Sequence, residues 1–229
     1  MINFKRNTLC LLAAIAVSWS TVSAAASLEI EFTNGAQMNA PITGGANFNG
    51  TGNCNFNGSA TEDVTLTAGN VKVASDAPFN GGSSKAIFEG GSLEATAPMN
   101  LPELVMNAPG TVTADHDVNL ANPVSGLQKL TAAGAGQFTP TTDLSSGGVN
   151  NAAVDFTGTG GLNIVSLTNK LPTGYVSVYA GSQVKVAPGL TIGEDDIVAA
   201  DKWKLKSGSG MRLGNGAVLD RSLVIEAYS

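Results

Sequence analysis

Two carboxylates flanking an imidazole are a set that can hold Ca²⁺ or another divalent ion, or move protons. Asp115, His116 and Asp117 form such a set around the single histidine of the chain. The tripeptide also lies between Val112-Thr113-Ala114 and Val118-Asn119-Leu120, a bend where Asp is favoured by turn chemistry alone. The turn is the plainer reading, and neither catalysis nor a metal is assigned to it. Glu194-Asp195-Asp196 could likewise attract calcium, but it lacks the regularly spaced Asp, Gly and closing Glu of a calcium loop and reads as an exposed acidic loop. Cys54 has no matched histidine and acid nearby in sequence and reads as a small buried apolar side chain.

Sugar binding calls for exposed aromatic rings. Tyr175 and Tyr179, with Trp203 further along, are the residues able to form such a platform, although packing explains Trp203 equally well. Asn49-Gly50-Thr51 and Asn57-Gly58-Ser59 fit glycosylation sequons. No Gly-rich stretch leads into a Lys-Ser/Thr helix, so no nucleotide cofactor is expected. Gly81, Gly147 and Gly158 to Gly161 read as corners needing positive φ.

What must position these residues is a chain that starts with an address. Lys5 and Arg6 precede a short apolar run from Leu9 to Val17, and Val22-Ser23-Ala24 and Ala24-Ala25-Ala26 fit a signal-peptidase site. Residues 1–24 are therefore expected to be a signal peptide, which places the mature chain in the periplasm, on the outer surface or outside the cell. Leu9 to Trp19 is short for a bilayer span and no later run reaches ~18 apolar residues, so no transmembrane anchor is expected. Without Lys5 and Arg6, ten basic residues stand against eighteen acidic, a charge of −8. That acidic balance disfavours nucleic acid and anionic membrane as partners. One cysteine remains after the leader, so no internal disulfide staples the fold.

Gly, Asn, Thr, Ser, Ala and Val dominate, and long helical periodicities are missing, which is the profile of many short strands joined by turns. A two-beat unit recurs. Apolar-x-apolar triplets begin at Val64, Ala86, Leu104, Leu130, Val154, Val176 and Trp203, and partner triplets at Val71, Leu93, Val112, Phe138, Leu162, Val184 and Met211. Successive steps are 22, 18, 26, 24, 22 and 27 in the first series and 22, 19, 26, 24, 22 and 27 in the second. The period wanders while the mutual offset stays at seven or eight residues. Independent hairpins have no reason to keep such an offset. A solenoid does, because every coil must return to the same place.

The expected architecture is thus all-β: a single-domain parallel β-solenoid (β-helix) of seven to eight coils, with each triplet series forming one inward row. A cap strand and turn would occupy 25–45, with Leu28-Glu29-Ile30-Glu31-Phe32 as the strand, the coils 46–219, and a second cap strand 220–229. Val118-Asn119-Leu120 and Leu190-Thr191-Ile192 would be optional third strands in the variable loop. Lys72 beside Glu94 would attract across neighbouring coils, and Lys185 beside Arg212 would repel.

Through these triplets and variable loops, roughly Ala46 to Leu219, the chain resembles bacterial parallel β-helix proteins, the group of autotransporter passenger domains, haemagglutinin-like adhesins and pectin-lyase-like enzymes. The resemblance is architectural. It implies a fold and a place outside the cytoplasm, and departs from the lyases in lacking their ladder of outward acids beside Arg or Lys. The expected function is an exported, non-enzymatic surface, extracellular-matrix or adhesion module, whose partners would be cell-surface polysaccharide, protein or further copies of itself. The alternatives are a carbohydrate-active or carbohydrate-binding β-helix and, third, a β-sandwich binding module with antiparallel strands.

Overall fold

The computed structural model describes residues 8–10, 22–23, 27–144, 153–169, 175–193, 203–220 and 224–226. Every strand pair in it is parallel and joins segments from successive turns of the chain, which makes the fold a parallel β-solenoid and excludes the sandwich. Among the described residues, the chain passes over three faces as far as Val124–Gly126 and the turn it opens, and the later turns show strands of the second and third faces. The first face stacks Leu28–Phe32, the opening of Ala46–Phe56, the opening of Val64–Val73, Lys85–Phe88, Glu103–Met106 and Val124–Gly126.

The second face stacks Ala36–Met38, the ends of those same two long strands, Ser92–Ala95, Gly110–Ala114, Leu130–Ala133, Val154–Phe156, Val176–Val178, Trp203–Lys206 and Val224–Glu226. The third face has a ladder of Met99–Leu101, Val118–Leu120, Gln137–Pro140, Gly161–Ile164, Gln183–Val186 and Gly210–Leu213. Two long strands, Ala46–Phe56 and Val64–Val73, run through the first corner, with register shifts between Phe48 and Asn49 and between Asn49 and Asn53.

Strand alternation decides what fills the interior, because successive side chains point to opposite sides of a sheet. Val64, Leu66, Val71, Ala86, Phe88 and Leu93 are fully buried, as are Phe48, Cys54 and Phe56, while Thr65, Lys72, Ile87 and Glu94 between them are not. Phenylalanines bridge the stack: Phe48 and Phe56 lie 5.0 Å apart by ring centroid, and Phe138 meets Phe156 edge-on at 6.1 Å. In one turn a 3-10 segment, Ala77–Gly82, replaces the third-face strand; it packs against Ser59–Ala60 and its fully buried Phe79 serves as that turn's inward side chain.

Three faces instead of two correct the expected rows. Leu104 is in register with Val124, not Leu130, and Leu130 stands opposite Gly110. Likewise Phe138 follows Val118, not Val112, which is followed by Ala132. Each expected series therefore begins on one face and ends on the next. The other expected steps hold, among them Val64 to Ala86, Leu93 to Val112, Leu162 to Val184 and Val176 to Trp203. Physically, all three faces are separated by similar bends, so a constant offset between neighbouring strands does not say which two faces they occupy. Val118–Leu120 is accordingly a regular third-face strand. Thr191–Ile192 pairs instead with Val218–Leu219, in a separate ladder between the third-face and second-face strands of its turn.

Corners are closed by glycine and by side-chain acceptors. Gly158 has φ +88°, Gly81 +62° and Gly161 +133°, conformations that cost a side chain about 1 kcal/mol or more. Gly160 has an ordinary φ, but an added Cβ would sit 1.9 Å from the Gly136 carbonyl oxygen, so backbone closeness selects glycine there. Gly147 lies outside the described residues.

Candidate functional site

The bend at 115–117 is built from the second-face strand Gly110–Ala114 and the third-face strand Val118–Leu120. All three of its side chains are exposed. The Ala135 backbone N–H donates to Asp115 Oδ1 at 3.3 Å, and the Gln137 N–H donates to Asp117 Oδ1 at 2.8 Å. Both carboxylates thus cap amides of the following turn. The same device recurs where Lys85 N–H donates to Asp63 Oδ1 at 2.9 Å and Asn53 N–H to Asn34 Oδ1 at 3.1 Å. Among the described residues, no group of three or more His, Cys, Asp or Glu side chains is arranged to hold a metal ion. Glu194, Asp195 and Asp196 lie outside the described residues.

Asp117 also borders an open depression of about 360 Å³ with Asp76, Asn100 and Asn119. Asn119 Nδ2 donates to Asn100 Oδ1 at 2.9 Å, so that floor is an amide ladder linking two turns. Such ladders are the rule on the outside. Asn70 Nδ2 donates to Asn53 Oδ1 and to Glu94 Oε2, Thr67 Oγ1 donates to Asn47 Oδ1, and Asn47 Nδ2 donates to Glu29 Oε2. The two sequon asparagines belong to them: Asn49 Nδ2 donates to Glu29 Oε1 at 3.4 Å and Asn57 Nδ2 to Asn39 Oδ1 at 2.9 Å. Lys72 and Glu94 meet at 2.8 Å as expected, and Lys185 stands beside Arg212 in register. Cys54 is fully buried, and desolvation pushes its thiol up to about 12, so it presents no nucleophile.

The tyrosines occupy a different environment. Val176 and Val178 point inward and are fully buried, and alternation turns Tyr175, Ser177 and Tyr179 to the outside of the second face. Tyr175 is 53 % exposed and Tyr179 38 %. The ammonium of Lys206 lies 5.9 Å from the Tyr179 ring centroid, within cation–π range. One turn earlier, Asp155, the register neighbour of Ser177, is 7 % exposed and holds Lys129 Nζ at 3.0 Å. The hydrogen bond and charge of Asp155 raise the Lys129 pKa above its ordinary 10.5. The result is two accessible rings at either end of the strand Val176–Val178, with the buried Ser177 (8 % exposed) between them and Lys206 and the Lys129–Asp155 pair alongside.

Trp203 is in register with the inward Val176, whereas Lys204 is in register with Ser177. Of the three expected platform aromatics, Tyr175 and Tyr179 are exposed on one turn, while Trp203 pairs in backbone register one turn later and its side chain lies outside the described residues. Sequence reasoning missed Asp155, Lys129 and Lys206 as neighbours of the tyrosines, since they arrive from other turns; the alternation of Tyr175 to Tyr179 was the available signal. No family model, curated protein or solved structure matches the chain.

Proposed function

We propose that the chain is an exported, non-enzymatic β-solenoid module of a cell surface or extracellular matrix, binding polysaccharide through the exposed rings of Tyr175 and Tyr179. The observation that carries this reading is the pair of tyrosines left exposed on a sheet whose other outward polar groups are largely tied into ladders. Sugar rings stack on exposed aromatic faces, and their hydroxyls bond to polar groups beside those faces. The carboxylates with the best sequence claim to chemistry, Asp115 and Asp117, are used to hold the next turn, which supports a binding role over an acid–base one. The resemblance to adhesin-like and passenger-domain solenoids is consistent with the same role.

The test is retention on insoluble and immobilised polysaccharides, polyuronides included, with product analysis of the same mixtures. Tyr175→Ala and Tyr179→Ala together should weaken retention at least tenfold while the far-ultraviolet spectrum stays unchanged. Cleavage of a polysaccharide that is lost in Asp115→Ala or His116→Ala would overturn the proposal in favour of a carbohydrate-active enzyme.

A further inference from the structure

The inward rows end unequally. Val184 and Val186 are 0 % and 3 % exposed, and their register partners one turn later are Met211, half-buried, and Leu213, 45 % exposed. Ile192 is fully buried, and its partner Leu219 is half-buried. These side chains belong to the core by parity, yet they remain accessible. Among the described residues, Gly210–Leu213 and Val218–Leu219 are also the final strands of their ladders, leaving backbone donors and acceptors along an open parallel edge.

At the other end the edge is covered, but by residues of the expected leader. Thr8–Cys10 pairs with Leu28–Phe32, and Val22–Ser23 pairs with Pro41–Thr43. Both covering strands fall within 1–24. Loss of that segment uncovers the edges carrying Leu28, Ile30, Phe32 and Ile42, all now 6 % exposed or less.

The two ends match in form and differ in charge, the first acidic and the last close to neutral. Residues 27–169 carry twelve acidic and three basic side chains, a net −9, whereas residues 170–229 carry six acidic and seven basic, a net +1. Glu29, Glu31, Glu62 and Asp63 sit at the first turns, and Lys185, Lys204, Lys206 and Arg212 at the last, together with Asp220 and Glu226.

We propose that copies of this chain stack head to tail, the open apolar end around Met211, Leu213 and Leu219 of one molecule seating on the uncovered first turn, Leu28 to Thr43, of the next. The proposal rests on the export reading, because removal of the leader is what opens the head. Head-to-tail contact continues the parallel pairing already present within the chain, while head-to-head contact would oppose the strands and bring like charges together. A contact of this heterologous kind repeats without closing and yields a linear filament.

The experiment is secretion of the full chain from its own leader, with the mass of the recovered protein locating its first residue. Sedimentation and negative-stain microscopy then report its assembly at low and high salt. Expected are a chain processed near residue 24 and a concentration-dependent series of rods, weaker at high salt. Leu213→Glu should weaken association at least tenfold with the far-ultraviolet spectrum retained, and Leu213→Met should leave it intact. A processed, folded chain that stays monomeric up to high concentration, or rods that Leu213→Glu does not affect, overturns the stacking proposal while leaving export standing. Recovery of the intact chain, leader attached, overturns the export reading and with it the proposal, since the head stays covered.

Discussion

Asp117 shows how a residue with catalytic chemistry can be fully explained by its backbone surroundings. Its carboxylate receives the Gln137 N–H at 2.8 Å, and hydrogen bonds to a charged acceptor contribute about 1.5–3 kcal/mol when desolvated, less at an exposed corner. Asp117→Ala should therefore cost about 1 kcal/mol in urea unfolding, and Asp117→Asn, which keeps the acceptor oxygen, less than half of that. A loss of activity toward any substrate with unchanged unfolding would contradict the capping role.

Cys54 and, more weakly because it is half exposed, Lys129 make the fold less stable as pH rises. The Cys54 thiol ionises above 9.0 when unfolded but only near 12 in the fold, so the unfolded state loses its proton first and stability falls as pH rises from about 9 toward 12. The Lys129–Asp155 pair raises the lysine pKa, so its contribution is whole below 10.5 and disappears as pH climbs through the higher folded value. Unfolding measured from pH 7 to 11 should show a decline beginning near 9. Alkylation of Cys54 at pH 8 should require denaturant. Ready alkylation of the native protein would contradict its burial.

Among the elements, the strands are short and the rows of side chains between turns give them stability. Phe156 is fully buried and packs edge-on against Phe138, so Phe156→Ala should cost about 3–5 kcal/mol, as large-to-small changes of aromatic core residues do. Thermal or urea unfolding checks it, and a cost below about 1 kcal/mol would mean that the second and third faces do not share one interior.

The triplets were legible in sequence because alternation and burial coincide: Val64 and Leu66 go in, Thr65 goes out. The correct face of each triplet was not. Leu104 to Val124 and Leu130 to Gly110 are contacts between turns, and in one dimension each strand is simply one bend away from the next. The third face was further obscured because one turn builds it from the 3-10 segment Ala77–Gly82 in place of a triplet. Similarly, Tyr175 and Tyr179 could be found by type, whereas Lys129 and Asp155 reach them only through stacking.

At the scale of the whole molecule, the solenoid turns a weakly charged chain into a continuous core with long outward ladders, and it leaves function to be read from what those ladders do not consume. The two exposed tyrosines and the accessible Leu213 are such remainders, to which the proposals assign a polysaccharide and a further copy of the chain.

The most direct check of the three-faced stack is a pair of engineered disulfides, with Cys54 left buried and bonds located by peptide mass mapping. Val105 and Ser125 are register partners on adjacent turns, within bridging reach at the ~4.8 Å spacing of neighbouring strands. Val105→Cys with Ser125→Cys should oxidise readily in the native protein, and Val105→Cys with Thr131→Cys should not, because Thr131 stands on the second face opposite Thr111 and Asp155. Efficient bonding of the second pair and failure of the first would contradict the three-faced solenoid.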